Sequence, residues 1–132
     1  MTSKITYLGD LRTSCLHLQS GSNILTDAPT DNHGKGEAFS PTDLIATSLG
    51  SCMISIMAIK SKDLEVDLID STIEVTKVMQ AEPRRISKII VLLNLPDTSE
   101  KNKVILERAA MTCPVFLSLH PDIEKDVTFH WK

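Results

Sequence analysis

The stretch FSPTDLIATSLGSCMISIMAIKSKD, from Phe39 to Asp63, sets the architecture of this chain. Pro41 and Asp43 suit a helix start, because an early proline gives up only an amide that would be unbonded anyway, and an early carboxylate favours the positive helix end. No charged residue occurs between positions 44 and 59. A membrane span needs ~20 strongly apolar residues, and this run is shorter and carries several hydroxyl groups. It therefore predicts a buried central helix.

Apolar side chains fall on nearly every face of this predicted helix, so it must be covered all round rather than along one stripe. A chain of 132 residues has little material for that cover, which indicates a partner subunit. Ala46 and Gly50 lie one helical turn apart and would let another backbone approach closely. Since Gly50 costs roughly 1 kcal/mol against alanine in a helix interior, a second helix packed on this pair would explain its presence.

Composition limits the classes of function that are open to the chain. Its length fits a single domain, residues 1–132. A net charge of -3 and an aromatic content of 4% argue against nucleic acid or an anionic membrane as partner. Cys15, Cys52 and Cys113 form no CxxC pair, and no signal peptide opens the chain. We therefore expect a reducing, cytoplasmic setting in which a disulfide would be catalytic.

A zinc site is the metal site to test, because four histidines accompany the cysteines. Cys15 and His17 would point the same way on a strand. No second close-spaced pair exists, and structural zinc sites usually have two. We expect no bound metal.

Before the central helix the sequence predicts short strands joined by turns. Residues 5–8 form a strand that ends at Gly9 and Asp10, and Arg12 follows in or beside this turn. Leu16 and Leu18 lie on a second strand, and residues 20–22 turn the chain into a third at 23–26, which is a hairpin pattern. Residues 27–38 are polar and turn-rich, so we expect an exposed loop.

After the helix, a strand around Ile73 and Val75 is followed by a turn at 81–84 and a second strand at 86–95. The run 89–93 is apolar on both faces, which is typical of an inner strand covered twice. Asp97 with Glu100 resembles a capping box and predicts a helix to about Met111. A short helical turn at 115–119 and a closing strand at 127–131 follow. The fold class is α+β.

Two cysteines and one arginine are candidates for chemistry. Pro114 suits a first helical position, which places Cys113 at the cap of the short helix, where backbone amides would favour its thiolate. Cys52 lies in the middle of the helix among apolar residues. It is therefore either an unreactive core residue or reactive only if a cation lies close to its sulfur. Arg12 is either that cation or an exposed turn arginine. On these grounds Cys113 is the easier thiolate.

The segment SPTDLIATSLGSCM, the later TCPVF and the GDLR turn resemble the OsmC/Ohr family of thiol peroxidases. The resemblance covers nearly the whole chain and implies antiparallel sheets wrapped around a long buried helix in an intertwined homodimer. It implies that Cys52 is the peroxidatic cysteine, Cys113 the resolving cysteine and Arg12 the activating cation. Where the hydroperoxide-resistance branch has glutamate directly after the proline, this chain has Thr42, and the carboxylate is Asp43.

The implied chemistry is cofactor-free and needs two thiols. The Cys52 thiolate attacks the O–O bond of an organic hydroperoxide, releases an alcohol and becomes a sulfenic acid, and Cys113 condenses with it to a disulfide. A guanidinium suits the activation because it stays charged when partly buried. The resemblance also implies a dithiol reductant such as a lipoyl group, and it gives Cys15 no role. Four apolar side chains are either a substrate pocket or plain core: Leu49, Met53, Ile56 and Phe116.

Two other functions stay open from the sequence. A non-enzymatic OsmC-like protein would bind a small apolar ligand or electrophile between its subunits. A thiol hydrolase would pair a cysteine with a histidine, but no motif ties any histidine to Cys52 or Cys113.

The position of Asp43 predicts a site shared between subunits. Asp43 lies nine residues before Cys52, ~13 Å along the helix and on its opposite side, so the two cannot cooperate within one helix. Antiparallel packing of two helices through Ala46 and Gly50 would bring the end of one near the middle of the other. We therefore expect an obligate homodimer in which Asp43 steadies Arg12.

Overall fold

A computed structural model describes all 132 residues of the chain. It contains six strands, three α-helices and a short 3-10 helix, so the predicted α+β class is confirmed. The chain divides into two compact units, Met1–Ile45 and Ala46–Lys132. Each unit is described below by itself, and the expected single domain stays a prediction.

The first unit is built on an antiparallel sheet of three strands in the order β1-β2-β3. The strands are Ser3–Gly9, Arg12–His17 and Asn23–Asp27. The β1–β2 turn has positive φ at Gly9, Asp10 and Leu11. In the β2–β3 ladder Arg12 lies opposite Asp27. Asp27 is fully buried, so the expectation of an exposed loop that begins at residue 27 is wrong for that residue.

Helix α1 spans Pro41–Asp63 and confirms the central helix of the sequence prediction. Its start is a reciprocal cap: the Asp43 amide donates to Ser40 Oγ at 3.0 Å, and the Ser40 amide donates to Asp43 Oδ2 at 3.0 Å. This is the capping-box arrangement, with aspartate in the place of the usual glutamate. Pro41 takes the first helical position, where its missing amide does no harm.

The second unit carries a sheet in the order β4-β5-β6, with strands Thr72–Gln80, Arg85–Leu95 and Glu124–Trp131. Strands β4 and β5 are antiparallel, whereas β5 and β6 are parallel. The expected antiparallel pairing therefore holds for every strand pair except β5–β6. The reason is that the chain passes from β5 to β6 through helices α2, Glu100–Met111, and α3, Pro114–Ser118, and such a crossover returns the strand in the same direction.

Strand β5 is the inner strand of this sheet, as predicted, but only one of its faces is fully covered. Ile89, Val91 and Leu93 are fully buried. Ile90 and Leu92 on the other face are half-buried. The predicted cover of both faces is therefore wrong for the chain by itself.

The core of the second unit includes Leu49, Met53 and Met57 of α1 together with the buried face of β5. Gly50 faces strand β4, because a Cβ added there would lie 2.9 Å from Ile73 Cγ2 and 2.8 Å from Val75 Cγ2. Its lack of a side chain thus accommodates the chain's own sheet.

The interpretation of Ala46 and Gly50 as a contact stripe for a second helix is therefore wrong, since both are buried within the chain. Elsewhere on α1, Ile45 and Ile59 are exposed, so the expected all-round cover is not reached within one chain. By length and composition alone α1 could cross a membrane, with a mean hydropathy of 1.5. Leu49, Met53 and Met57 of this helix are fully buried within the chain, which is typical of a core helix.

Helix α2 begins two residues later than predicted. Its cap is Ser99, whose side chain accepts the Asn102 amide at 3.2 Å. Asp97, the predicted cap, instead pairs with Lys103 at 3.0 Å, and this cation lowers the pKa of Asp97. The predicted end at Met111 is confirmed.

Candidate functional site

Cys113 caps helix α3, as the sequence predicts. Its backbone is extended, Pro114 takes the first helical position, and its Sγ accepts the Phe116 amide at 3.4 Å. The local structure follows directly from the order Thr-Cys-Pro, because proline preferentially opens a helix and holds the preceding residue in an extended conformation.

The helix cap alone does not make Cys113 an easy thiolate, and its ranking against Cys52 stays a prediction. Cys113 is fully buried, and burial is the largest of the causes that raise its pKa. The amides of Phe116 and Val115 lower that pKa but do not compensate. A buried thiolate loses its hydration, and two backbone donors do not replace it. Burial therefore favours the neutral thiol of Cys113.

The structure brings Cys113 together with Cys52 in the second unit. A side-chain hydrogen bond to Cys52, and the charge of Cys52 when ionised, both raise the pKa of Cys113 further. Both cysteines are free thiols, and Cys52 is only partly buried on α1. One thiol of the pair is thus open to a reactant, and the other is buried next to it.

Arg12 is held by two carboxylates in the first unit. Its Nε and Nη2 donate to Oδ1 and Oδ2 of Asp27 at 2.7 and 2.9 Å, and Nη2 also donates to Glu37 Oε2 at 3.1 Å. Asp27 raises the pKa of Arg12 most, and Glu37 adds to that effect. In return, the guanidinium lowers the pKa of Asp27. The alternative of an exposed turn arginine is wrong, because the Arg12 side chain is 27% exposed and oriented by these bonds.

Asp27 and Glu37 are the residues that the sequence reasoning missed. The register of the hairpin places Asp27 opposite Arg12, because the β2–β3 turn is centred between Gln19 and Ser20, whereas the predicted turn at residues 20–22 would place it opposite Cys15. Glu37 gives no signal in the sequence, since it reaches Arg12 from a loop 25 positions away along the chain. Its amide also donates to Asp27 Oδ2 at 3.1 Å, so the loop and the ion pair support each other.

Asp43 lies in the first unit and Cys52 in the second. The Asp43 carboxylate caps the start of α1 through the Ser40 amide. This gives it a structural role that the sequence reasoning only partly foresaw, and its steadying of Arg12 stays a prediction.

The remaining candidates separate into core and surface. Leu49 and Met53 are fully buried core residues, whereas Ile56 and Phe116 are half-buried. Cys15 lies on β2 between Ile5 and Ile24 in the ladder.

The histidines offer no partner for either cysteine of the pair. His17 bonds to Ser20, His130 to Asn94, and His120 accepts the Asp122 amide. No cluster of three or more His, Cys, Asp or Glu side chains could hold a metal ion.

Comparison with known proteins places this geometry in context. The family described as OsmC-like protein matches residues 34–128. A Psychrobacter arcticus 273-4 protein, provisionally described as an osmotic stress induced and detoxification response protein, has 55% identity and a TM-score of 0.95, covering 98% of this chain and 96% of its own. The comparison with curated proteins gives no match.

Two more distant structures share the fold. The OsmC-like protein from Mycoplasma pneumoniae has 15% identity and a TM-score of 0.79, covering 99% of this chain and 97% of its own. An organic hydroperoxide resistance protein from Elizabethkingia anophelis has 15% identity and a TM-score of 0.76, covering 100% and 97%.

Proposed function

We propose that this chain, which belongs to the OsmC-like protein family, is a two-cysteine thiol peroxidase that reduces organic hydroperoxides. The Cys52 thiolate attacks one peroxide oxygen, and the O–O bond breaks with release of an alcohol. The sulfenic acid formed on Cys52 condenses with the Cys113 thiol, releasing water and leaving a Cys52–Cys113 disulfide. A dithiol, such as a lipoyl group, returns the pair to the thiol state.

The observation that carries the proposal is the contact between Cys52 and Cys113. The partly exposed thiol is the one that a peroxide can reach, and the buried thiol lies beside it with a raised pKa, which favours its neutral form. A resolving cysteine is useful when it stays out of reach of the peroxide until a sulfenic acid forms next to it. The burial that raises the pKa of Cys113 keeps it unreactive towards peroxide.

We assign the activation of Cys52 to Arg12, with Asp27 and Glu37 as positioning residues. The three hydrogen bonds of Arg12 use Nε and Nη2, which leaves Nη1 for a further acceptor. A guanidinium fixed by a buried carboxylate keeps its charge and direction, both of which are needed to stabilise a thiolate and a developing alkoxide. Asp27 and Glu37 thus take the part that the family gives to a glutamate at the position of Thr42.

We propose that the working form is a homodimer whose sites combine residues of both subunits. Its support is exposed apolar surface: Ile5 and Tyr7 of β1 are each 64% exposed, and Ile24 of β3 is 50% exposed. Fully burying one such side chain is worth roughly 1.5–3 kcal/mol. The first unit buries almost none of its apolar side chains, and a second chain is the natural cover for them.

One observation favours the rival function, binding of a small apolar ligand. Helices α1 and α2 border an open pocket of about 720 Å³, lined by apolar side chains such as Ile56, Ile59 and Ile105 and by the charged residues Lys60, Asp63 and Arg108. Such a pocket suits a small, largely apolar molecule. A binder of this kind would leave both thiols unchanged.

The decisive test is turnover with a dithiol present. Reduced protein should consume tert-butyl hydroperoxide catalytically with dihydrolipoamide and should do so faster than it consumes hydrogen peroxide. Absence of consumption above the rate of the dithiol alone would reject the peroxidase and leave the binder.

A further inference from the structure

We infer that the reducing thiol attacks the Cys52 sulfur of the Cys52–Cys113 disulfide and that Cys113 is the leaving group. This rests on the proposed function, since it concerns the disulfide formed after peroxide reduction. It decides which cysteine carries the mixed disulfide with the reductant. It also decides which surface, that of α1 around Cys52, the reductant must approach.

Access to the two sulfurs differs. Cys113 is fully buried within the core cluster of the second unit, whereas Cys52 is half-buried, and its neighbour Ser51 is exposed. Thiol–disulfide exchange requires the incoming thiolate to reach the attacked sulfur, and access is one of the factors that choose between the two sulfurs. Only the Cys52 side of the bond is open to an external thiol.

Two backbone amides lie at the departing sulfur of Cys113, where burial raises the pKa of the thiol. The Phe116 amide donates to Cys113 Sγ at 3.4 Å, and the Val115 amide also favours the ionised form. Around Cys52, mid-helix amides are already used in the i to i−4 bonds of α1. These two donors offset only part of the burial that raises the pKa of Cys113, so the choice between the two sulfurs depends on access.

The step balances as a two-electron exchange. A thiolate RS⁻ forms a bond to Cys52 Sγ, the Cys52–Cys113 bond breaks, and its electron pair stays on Cys113 as a thiolate, which then takes up a proton. The second thiol of a dithiol reductant attacks the reductant's own sulfur in the mixed disulfide and releases Cys52. The dithiol leaves oxidised, and both protein cysteines are thiols again.

The test uses the full chain with the Cys15→Ser substitution, which removes the third thiol. Diamide forms the disulfide, so the test does not depend on peroxidase activity. A limiting amount of 2-mercaptoethanol is added, the reaction is stopped with acid, and free thiols are alkylated with N-ethylmaleimide in denaturant. Peptide mass mapping then locates both groups.

We expect mercaptoethanol on Cys52 and maleimide on Cys113, with this pattern in about tenfold excess over the reverse, because access dominates the choice of sulfur. Mercaptoethanol on Cys113, or an even distribution, would overturn the inference. So would a failure of diamide to join the two thiols. A disulfide that forms with diamide but not with hydroperoxide would instead reject the proposed peroxidase, so the two failures are distinguishable.

Discussion

Arg12 and Asp27 form a bidentate ion pair directly across the β2–β3 ladder, with Nε–Oδ1 at 2.7 Å and Nη2–Oδ2 at 2.9 Å. Asp27 is fully buried, whereas Glu37, the second carboxylate on Arg12, is 67% exposed. The two carboxylates therefore differ in whether water can replace them as partners of Arg12. Removing the Asp27 charge leaves the Arg12 guanidinium without its buried partner, which we call its inner anchor. Water can replace the exposed contact with Glu37.

Asp27→Asn should destabilise the protein more than Glu37→Gln, because a buried partner has no water to take its place. Since Arg12 lowers the pKa of Asp27, the stability from this pair is present above the ordinary aspartate pKa of about 3.9 and is lost as pH falls through the lower folded-state value. Urea midpoints of both variants and the native chain between pH 3 and 7 measure this. Equal midpoints for the two variants at pH 7 would contradict the assignment of Asp27 as the inner anchor.

The raised pKa of Cys113 predicts a loss of stability at alkaline pH. The folded state holds the neutral thiol, so this contribution is present below the ordinary cysteine pKa of about 8.5 and is lost as pH rises through the higher folded-state value. Cys113→Ser should flatten the fall of the urea midpoint between pH 8 and 10, and Cys15→Ser, in the other unit, serves as control. An unchanged alkaline slope in Cys113→Ser would show that the thiol is not desolvated as described.

Gly50→Ala tests the close approach of α1 to strand β4. Alanine gains about 1 kcal/mol of helix propensity, but its Cβ would lie 2.8 Å from Val75 Cγ2, and overpacking of this kind typically costs about 1–3 kcal/mol. We expect a net loss of about 1 kcal/mol in the free energy of unfolding, measured by urea titration. The exposed neighbour Ser51→Ala should stay within about 0.5 kcal/mol of the native chain. A Gly50→Ala variant that is more stable than the native chain would mean that strand β4 moves away from the added methyl group at little cost in free energy.

Much of the fold could be predicted because its signals are local. The uncharged run of α1, the Pro41 start and the Cys113-Pro114 cap each depend on residues adjacent in sequence, and all three are confirmed. The burial of Asp27 could not be predicted in the same way, because a polar residue at a strand end usually marks a loop.

Three features that the sequence does not show have the same origin in tertiary contacts. The sequence does not show that Ile73 and Val75 approach Gly50, so its assignment to a second helix fails. Glu37 gives no signal in the sequence because it contacts Arg12 from a distant loop. The cap at Cys113 is local, whereas the burial that raises its pKa depends on the whole unit.

Mixed dimers test whether a site combines residues of two chains. An Arg12→Ala chain keeps both cysteines, and a Cys52→Ser chain keeps Arg12, so neither parent should reduce peroxide efficiently. Co-expressed with two different tags and purified as the heterodimer, they should recover activity at one complete site. A heterodimer as inactive as its parents, or a native chain that is an active monomer by sedimentation, would contradict a shared site.

The most direct test of the account is the mass of reduced protein after treatment with one equivalent of an organic hydroperoxide. The native chain should lose two hydrogen atoms, and peptide mapping should find Cys52 joined to Cys113. Cys113→Ser should instead stop at an oxidised Cys52, and Cys52→Ser should not react. An unchanged mass of the native chain, or a Cys52→Ser variant that reacts as fast as the native chain, would contradict the account.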